Sequence, residues 1–191
     1  MRVIAGKYRS RRIASGRGTD LRPTSDRLRE TLFDILQGRV EGSYFVDGYA
    51  GTGAVGIEAA SRGASDVAFL ENHRGSVALI RKNLASLGIN DGVEVIAGDV
   101  CRGLATLGAR GVPADIMFFD PPYAERGEYT RVLEALGESA LVAETTLIIF
   151  ERLRKTALEA AYGPLVRTRT VEQGDAALDF FARSQPSAES R

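Results

Sequence analysis

An aspartate, two prolines and a tyrosine, Asp120-Pro121-Pro122-Tyr123, follow the apolar run Ile116-Met117-Phe118-Phe119. The run predicts a buried strand, and the paired prolines predict a rigid turn at its carboxyl end. Such a turn presents one carboxylate, its neighbouring carbonyls and an aromatic ring to a cleft, a set suited to an exocyclic amino group on a flat base. An amine conjugated with a heteroaromatic ring is a poor nucleophile, because its lone pair is delocalised into the ring. If the Asp120 carboxylate and the Pro121 carbonyl accept its two N–H hydrogens, the lone pair is localised and aimed at an electrophilic methyl about 3 to 3.5 Å away. Tyr123 would stack on the base and fix its plane. The same residues would also serve simply as a strand cap and a core cover, so their surroundings decide.

A second constellation lies upstream. Asp47-Gly48-Tyr49-Ala50-Gly51-Thr52-Gly53-Ala54-Val55-Gly56 contains a G-x-G-x-x-G pattern at Gly51, Gly53 and Gly56, where glycines permit a tight turn and close backbone approach to a ligand. Glu71 stands where a carboxylate could accept both hydroxyls of a ribose. Asp99, in Ala97-Gly98-Asp99, could reach an adenine amino group. Asp47, Ala50, Gly51, Gly53, Glu71, Asp99 and Asp120 form the expected cofactor set, and two cofactors match it. A dinucleotide would place a pyrophosphate at the helix N-terminus. S-adenosylmethionine has no phosphate but carries an ammonium and a sulfonium. Asp47, just before the glycines, favours the second, since a carboxylate there repels a pyrophosphate and can meet the ammonium directly or through water. Each acid could instead be a strand-end cap.

The elements that would hold these residues alternate. Apolar runs predict strands at residues 44–47, 67–71, 93–97, 116–120 and 146–151, with helical spacing between them, as at Val77, Ile80, Leu84 and Leu87. That rhythm implies an α/β fold with a parallel sheet and helices on both faces. Two further runs, 166–171 and 178–181, flank Gln173-Gly174-Asp175 and predict a hairpin. A helix is expected over 26–37, capped by Thr24 or Ser25. In an open sheet of this kind ligands bind outside the carboxyl ends of the strands, where every acid named above falls.

At 191 residues, with 44% hydrophobic and 26% charged, the chain suits one globular domain without staples. No apolar stretch approaches membrane-spanning length and no signal-peptide pattern opens the chain, so a cytoplasmic location is expected. A single Cys101 and a single His73 speak against an internal disulfide and a metal centre. The net charge is zero, yet residues 1–29 hold nine basic groups against two acids. Clustered arginines reward contact with a polyanion through counterion release. Lys7, Arg9, Arg11, Arg12, Arg22, Arg27 and Arg29 are therefore expected to face nucleic acid, with Val3, Ile4, Tyr8, Ile13 and Leu21 interleaved in a short hairpin.

Taken together, Met1-Arg2-Val3-Ile4-Ala5-Gly6-Lys7, the segment Leu21-Arg22-Pro23-Thr24-Ser25-Asp26-Arg27-Leu28-Arg29-Glu30-Thr31-Leu32-Phe33, the glycine loop and Asp120-Pro121-Pro122-Tyr123 resemble signatures of the RsmD family of bacterial small-subunit ribosomal RNA guanine-N2 methyltransferases. The resemblance spans about residues 1–182, and the segment at 21–33 is its most specific part. It implies a Rossmann-like class I S-adenosylmethionine-dependent methyltransferase with a seven-stranded, mostly parallel sheet and a small N-terminal basic hairpin. It further implies as target one guanine of 16S rRNA in an assembling small subunit. The expected organisation is a basic RNA-contacting extension at 1–23, a methyltransferase domain at 24–183 and a disordered tail at 184–191, in a monomer. Gly48, His73, Asp34 and Gln173 depart from the family pattern, which more often has a larger apolar residue, an acid, an asparagine and a tyrosine there. Amines of DNA adenine or of a glutamine side chain would fit the same four-residue turn, and the basic N-terminal segment would also suit a non-catalytic RNA-binding assembly factor.

Overall fold

A computed structural model describes residues 1–15, 26–122 and 125–184. Helix α1 (Asp26–Ile35) is followed by β1 (Tyr44–Gly48), α2 (Ala54–Ser61), β2 (Asp66–Glu71), α3 (Arg74–Leu87), β3 (Val93–Ala97), α4 (Val100–Gly108), β4 (Ile116–Phe119), α5 (Arg126–Gly137), β5 (Leu147–Leu153), β6 (Ala161–Tyr162), β7 (Leu165–Gln173) and β8 (Ala176–Arg183). All the strands join one sheet of order β3-β2-β1-β4-β5-β8-β7-β6. The first five run parallel and the last three antiparallel.

The alternation of side chains along each strand divides the core into two layers. On one face Phe45, Phe69, Phe118, Ile149 and Phe180 pack under Phe33 of α1, Ile57 of α2 and Ile80 of α3. On the other, Val46, Leu70, Phe119, Phe150 and Phe181 pack under Leu104 of α4 and Tyr129, Val132 and Leu133 of α5. Consecutive strand residues such as Phe118 and Phe119 thus serve opposite layers. This is why the central strands read as unbroken apolar runs.

Two expectations about the fold are corrected. Among the described residues the sheet has eight strands, not seven, because the two-residue β6 pairs with β7 through Ala161↔Val166 and Tyr162↔Leu165. So short a strand leaves no periodic signal. The expected N-terminal hairpin is also not built. Arg2 and Arg12 form an isolated antiparallel bridge rather than a strand pair, supported by the Val3 N–H donating to the Arg11 carbonyl at 3.0 Å and the Ile13 N–H to the Met1 carbonyl at 3.1 Å, while the backbone of residues 4–8 turns its N–H groups to α2. The N–H groups of Ile4 and Ala5 donate to the Glu58 carboxylate at 2.7 and 2.9 Å, and that of Lys7 to the Ser61 carbonyl at 2.7 Å. Gly6, at φ 79°, makes this approach possible, because a Cβ there would lie 1.8 Å from the Ser61 oxygen. At the other end, Ser184 N–H donates to the Pro164 carbonyl at 2.7 Å. The remainder, 185–191, lies outside the described residues, as do the expected caps Thr24 and Ser25.

Strand order reverses between β1 and β4. Chain direction leaves β1 toward β2 and β3 on one side, and β4 leads to β5 on the other, so the turns after β1 and β4 diverge and open a crevice. The register Gly48↔Phe119 brings the glycine loop and Asp120 side by side at that opening.

Candidate active site

The loop from β1 into α2 is shaped by its glycines in different ways. Gly51 and Gly53 adopt φ of 55° and 77°, a left-handed conformation that costs glycine least. Gly56 is demanded by packing instead, since a Cβ there would fall 2.4 Å from the Phe69 ring. Gly48 has the same kind of reason: a Cβ would meet the Phe119 ring at 2.3 Å. Here the ring of β4, stacked on Phe150 at 4.9 Å, occupies the space that a larger residue at position 48 would fill.

Asp47 sits beneath this loop rather than in the open crevice. It is 1% exposed, and its Oδ2 accepts the Gly56 N–H at 2.8 Å. Burial pushes its carboxyl up to about 8, against the pull of the Gly56 N–H and with a further push from Glu71. Glu71, at the end of β2, holds the loop from its other side: Oε2 accepts the Gly51 N–H at 2.7 Å and Oε1 the His73 N–H at 2.8 Å. Each oxygen keeps one further acceptor position. Ala50 is buried, and its carbonyl accepts the Gly53 N–H at 2.7 Å, closing the turn. His73 caps α3 by accepting the Ser76 N–H at 3.2 Å.

Asp99 caps α4, its Oδ1 accepting the Arg102 N–H at 3.1 Å. The other oxygen takes Nη2 of Arg131 at 2.8 Å, a residue of α5 that sequence reasoning did not single out. Arg131 also grips Glu128 with Nε at 2.9 Å and Nη2 at 2.7 Å, and Glu128 accepts the Tyr49 hydroxyl at 2.5 Å. The Glu128/Arg131 spacing of three on a helix was the available signal, but their link to Asp99 and Tyr49 depends on how the elements pack.

Asp120 is half-buried where β4 ends, its N–H donating to the Gly48 carbonyl at 3.3 Å. Burial holds its carboxyl well above the usual carboxylate range, reinforced by the neighbouring acids Glu151 and Asp47. Pro121 is buried and Pro122 exposed; Tyr123 lies outside the described residues. Tyr129, wholly buried on α5, has a hydroxyl with no hydrogen-bond partner. Burial raises its pKa, with Asp120 and Glu151 adding to the effect. Glu151, 3% exposed within β5 two residues before its end, and Tyr129 are thus site neighbours that sequence reasoning missed. The structure gathers Asp47, Glu71, Asp120 and Glu151 at the carboxyl end of one sheet. A set so rich in carboxyl groups suits a cationic ligand and opposes a pyrophosphate.

The basic residues are less uniform than expected. Lys7, Arg9, Arg11, Arg12 and Arg27 are exposed; Arg22 lies outside the described residues. Arg29 is fully buried, and its Nη2 donates to the Arg2 carbonyl at 2.7 Å and to Asp26 at 3.1 Å. Its expected place on an RNA-facing surface is therefore corrected, because helical phase turns it inward beneath the N-terminal segment. That segment also docks on α3, where Asn83 exchanges hydrogen bonds with the Ala14 backbone at 2.9 and 3.1 Å and donates to the Thr52 carbonyl at 2.9 Å. Among the described residues no group of three or more His, Cys, Asp or Glu could hold a metal ion, and no helix is long and apolar enough to cross a membrane.

Ribosomal RNA small subunit methyltransferase D of Escherichia coli (strain K12) is 34% identical over 151 residues, 79% of this chain and 74% of its own. The solved structure of yhhF from Escherichia coli superposes with a TM-score of 0.83 at 32% identity, covering 96% of this chain and 97% of that one. At the level of fold alone, an RNA methyltransferase from Salinibacter ruber in complex with S-adenosyl-L-homocysteine gives a TM-score of 0.64 at 16% identity, covering 88% of this chain and 97% of that one. The family model described as Conserved hypothetical protein 95 matches residues 1–182. The chain belongs to that family, the RsmD family of small-subunit ribosomal RNA methyltransferases.

Proposed function

We propose that this chain transfers a methyl group from S-adenosylmethionine to the exocyclic N2 of a guanine in 16S rRNA. The observation that carries the reading is Asp120, held at the strand-order reversal beside the glycine loop, among acids that favour a positively charged partner. When bound, the cofactor supplies an electrophilic methyl on a cationic sulfur. The family name of relatives such as the Escherichia coli methyltransferase supports the RNA substrate.

The chain's own residues then divide the work. Gly51 and Gly53 let the backbone lie close to the cofactor, while the free acceptor positions of Glu71 face its ribose hydroxyls and Asp99 its adenine. Asp120 and the Pro121 carbonyl accept the two N–H hydrogens of the guanine amino group, which frees the lone pair. Tyr123 stacks on a base drawn out of its neighbours. Because surrounding acids and burial make the Asp120 carboxyl more basic than usual, it is also the group that takes up the proton lost from the methylated nitrogen before passing it to water. The exposed arginines of residues 7–12, together with Arg27, meet the RNA phosphates.

Asp120→Ala tests the assignment. With S-adenosylhomocysteine binding followed by calorimetry, the variant should lose methyl transfer to small-subunit particles by about a hundredfold or more while still binding the product. Unchanged methylation sinks the role of Asp120. Transfer to naked DNA or to a peptide, with none to RNA, sinks the substrate.

A further inference from the structure

The chain of contacts from Tyr49 through Glu128 and Arg131 to Asp99 joins residues after three different strands, β1, β3 and β4. It is not explained by stability. Arg131 and Asp99 are 42% and 39% exposed, and pairs so open to water contribute little. Tyr49 is moreover one of only two non-glycine residues at positive φ among the described residues, at 58°. A strained residue of this kind persists when its surroundings hold it in place, and such strain gathers at functional sites. Tyr49 immediately precedes Ala50 and Gly51 of the glycine loop. Glu128 and Arg131 lie on the helix that follows the Asp-Pro-Pro-Tyr turn, so the two halves of the site are tied together at Asp99.

We infer that Arg131, steadied by Glu128 and Tyr49, is a positioning residue that sets Asp99 to read the amino group of an adenine ring. The inference rests on the cofactor reading above. Oδ1 of Asp99 is committed to the Arg102 N–H and Oδ2 to Arg131, which fixes the plane of the carboxylate and leaves one acceptor position on each oxygen. The Arg131 guanidinium also holds the Asp99 carboxyl below its ordinary value, so it stays ionised and acts purely as an acceptor. An adenine amino group donates to such an acceptor. A hypoxanthine ring presents a carbonyl oxygen at the same position and is repelled. Arg131 touches no cofactor atom in this assignment and acts only through Asp99.

Titration calorimetry with S-adenosylhomocysteine and S-inosylhomocysteine separates this role from a merely structural one. The wild-type chain should prefer the adenosyl compound by about tenfold or more, the discrimination expected of a built hydrogen-bonding site. In Arg131→Met that preference should shrink to about threefold or less, chiefly through weaker binding of the adenosyl compound. Arg131→Lys, which keeps a cation near Asp99 but not the fork that grips Glu128, should fall between them, as should Tyr49→Phe. If Arg131→Met and Arg131→Lys weaken both ligands equally and leave the preference intact, or if the wild type shows no preference, the inference is overturned while the cofactor reading stands. A wild-type chain that binds neither compound overturns the cofactor reading itself.

Discussion

Replacing Asp47 with asparagine isolates the electrostatic cost of the buried carboxyl, because asparagine keeps an oxygen able to accept the Gly56 N–H now bound at 2.8 Å. The wild-type group is 1% exposed, and burial lifts its pKa from 3.8 to about 8. A carboxyl raised on folding stabilises the folded state fully below its unfolded pKa, and that contribution is lost as pH rises through the folded pKa. Wild-type stability should therefore decline across the window from about 4 to about 8. One proton is worth about 1.36 kcal/mol per pH unit, so the total effect is on the order of 5 kcal/mol. Asparagine does not titrate, and its advantage over the wild type should grow by about 4 kcal/mol between about pH 5 and pH 8, then level off. Asp120 titrates in both proteins, and removing the Asp47 charge eases its ionisation, which acts in the same direction as the predicted gain. Urea unfolding of the two chains without ligand, at each pH, measures it. Curves that run parallel across the window, or an asparagine variant that loses ground as pH rises, would refute the reasoning.

The same raised carboxyls predict that S-adenosylmethionine binding near neutral pH releases protons, since a cation favours the ionised forms of Asp47 and Asp120; calorimetry in buffers of different ionisation enthalpy counts them, and proton uptake contradicts the prediction. Gly48→Ala should cost about 1 to 3 kcal/mol because the new methyl meets the Phe119 ring at 2.3 Å, and combining it with Phe119→Leu should cost less than the two changes summed. Glu58→Ala leaves the N–H groups of Ile4 and Ala5 without their acceptor, at about 1 to 3 kcal/mol for each group left buried. That variant should bind RNA more weakly in a filter assay yet keep its affinity for S-adenosylhomocysteine; equal loss of both would mean that the N-terminal segment does not act as a separate RNA contact.

Sequence alone determined the parts whose causes lie within a few residues. The apolar runs placed the five parallel strands to within one or two residues at most ends, and Gly174 at φ 61° marks the turn between β7 and β8 expected from Gln173-Gly174-Asp175. The glycine loop and the Asp-Pro-Pro turn announced themselves because tight turns restrict which residues fit. Tertiary structure decided what depends on strand order and helical phase. Arg29 is four-square with its neighbours in the sequence as a surface base, yet the phase of α1 turns it inward to the Arg2 carbonyl. Asp99 and Arg131 are separated by 32 residues, and Glu58 and Ile4 by 54, distances over which periodicity carries no information. Asp47 reads as a charge in the sequence and becomes a neutral-leaning acid only when the sheet removes water from it. Local spacing encodes the elements; desolvation and long-range pairing, which exist only once β1 and β4 lie side by side, set the chemistry of the residues at their ends.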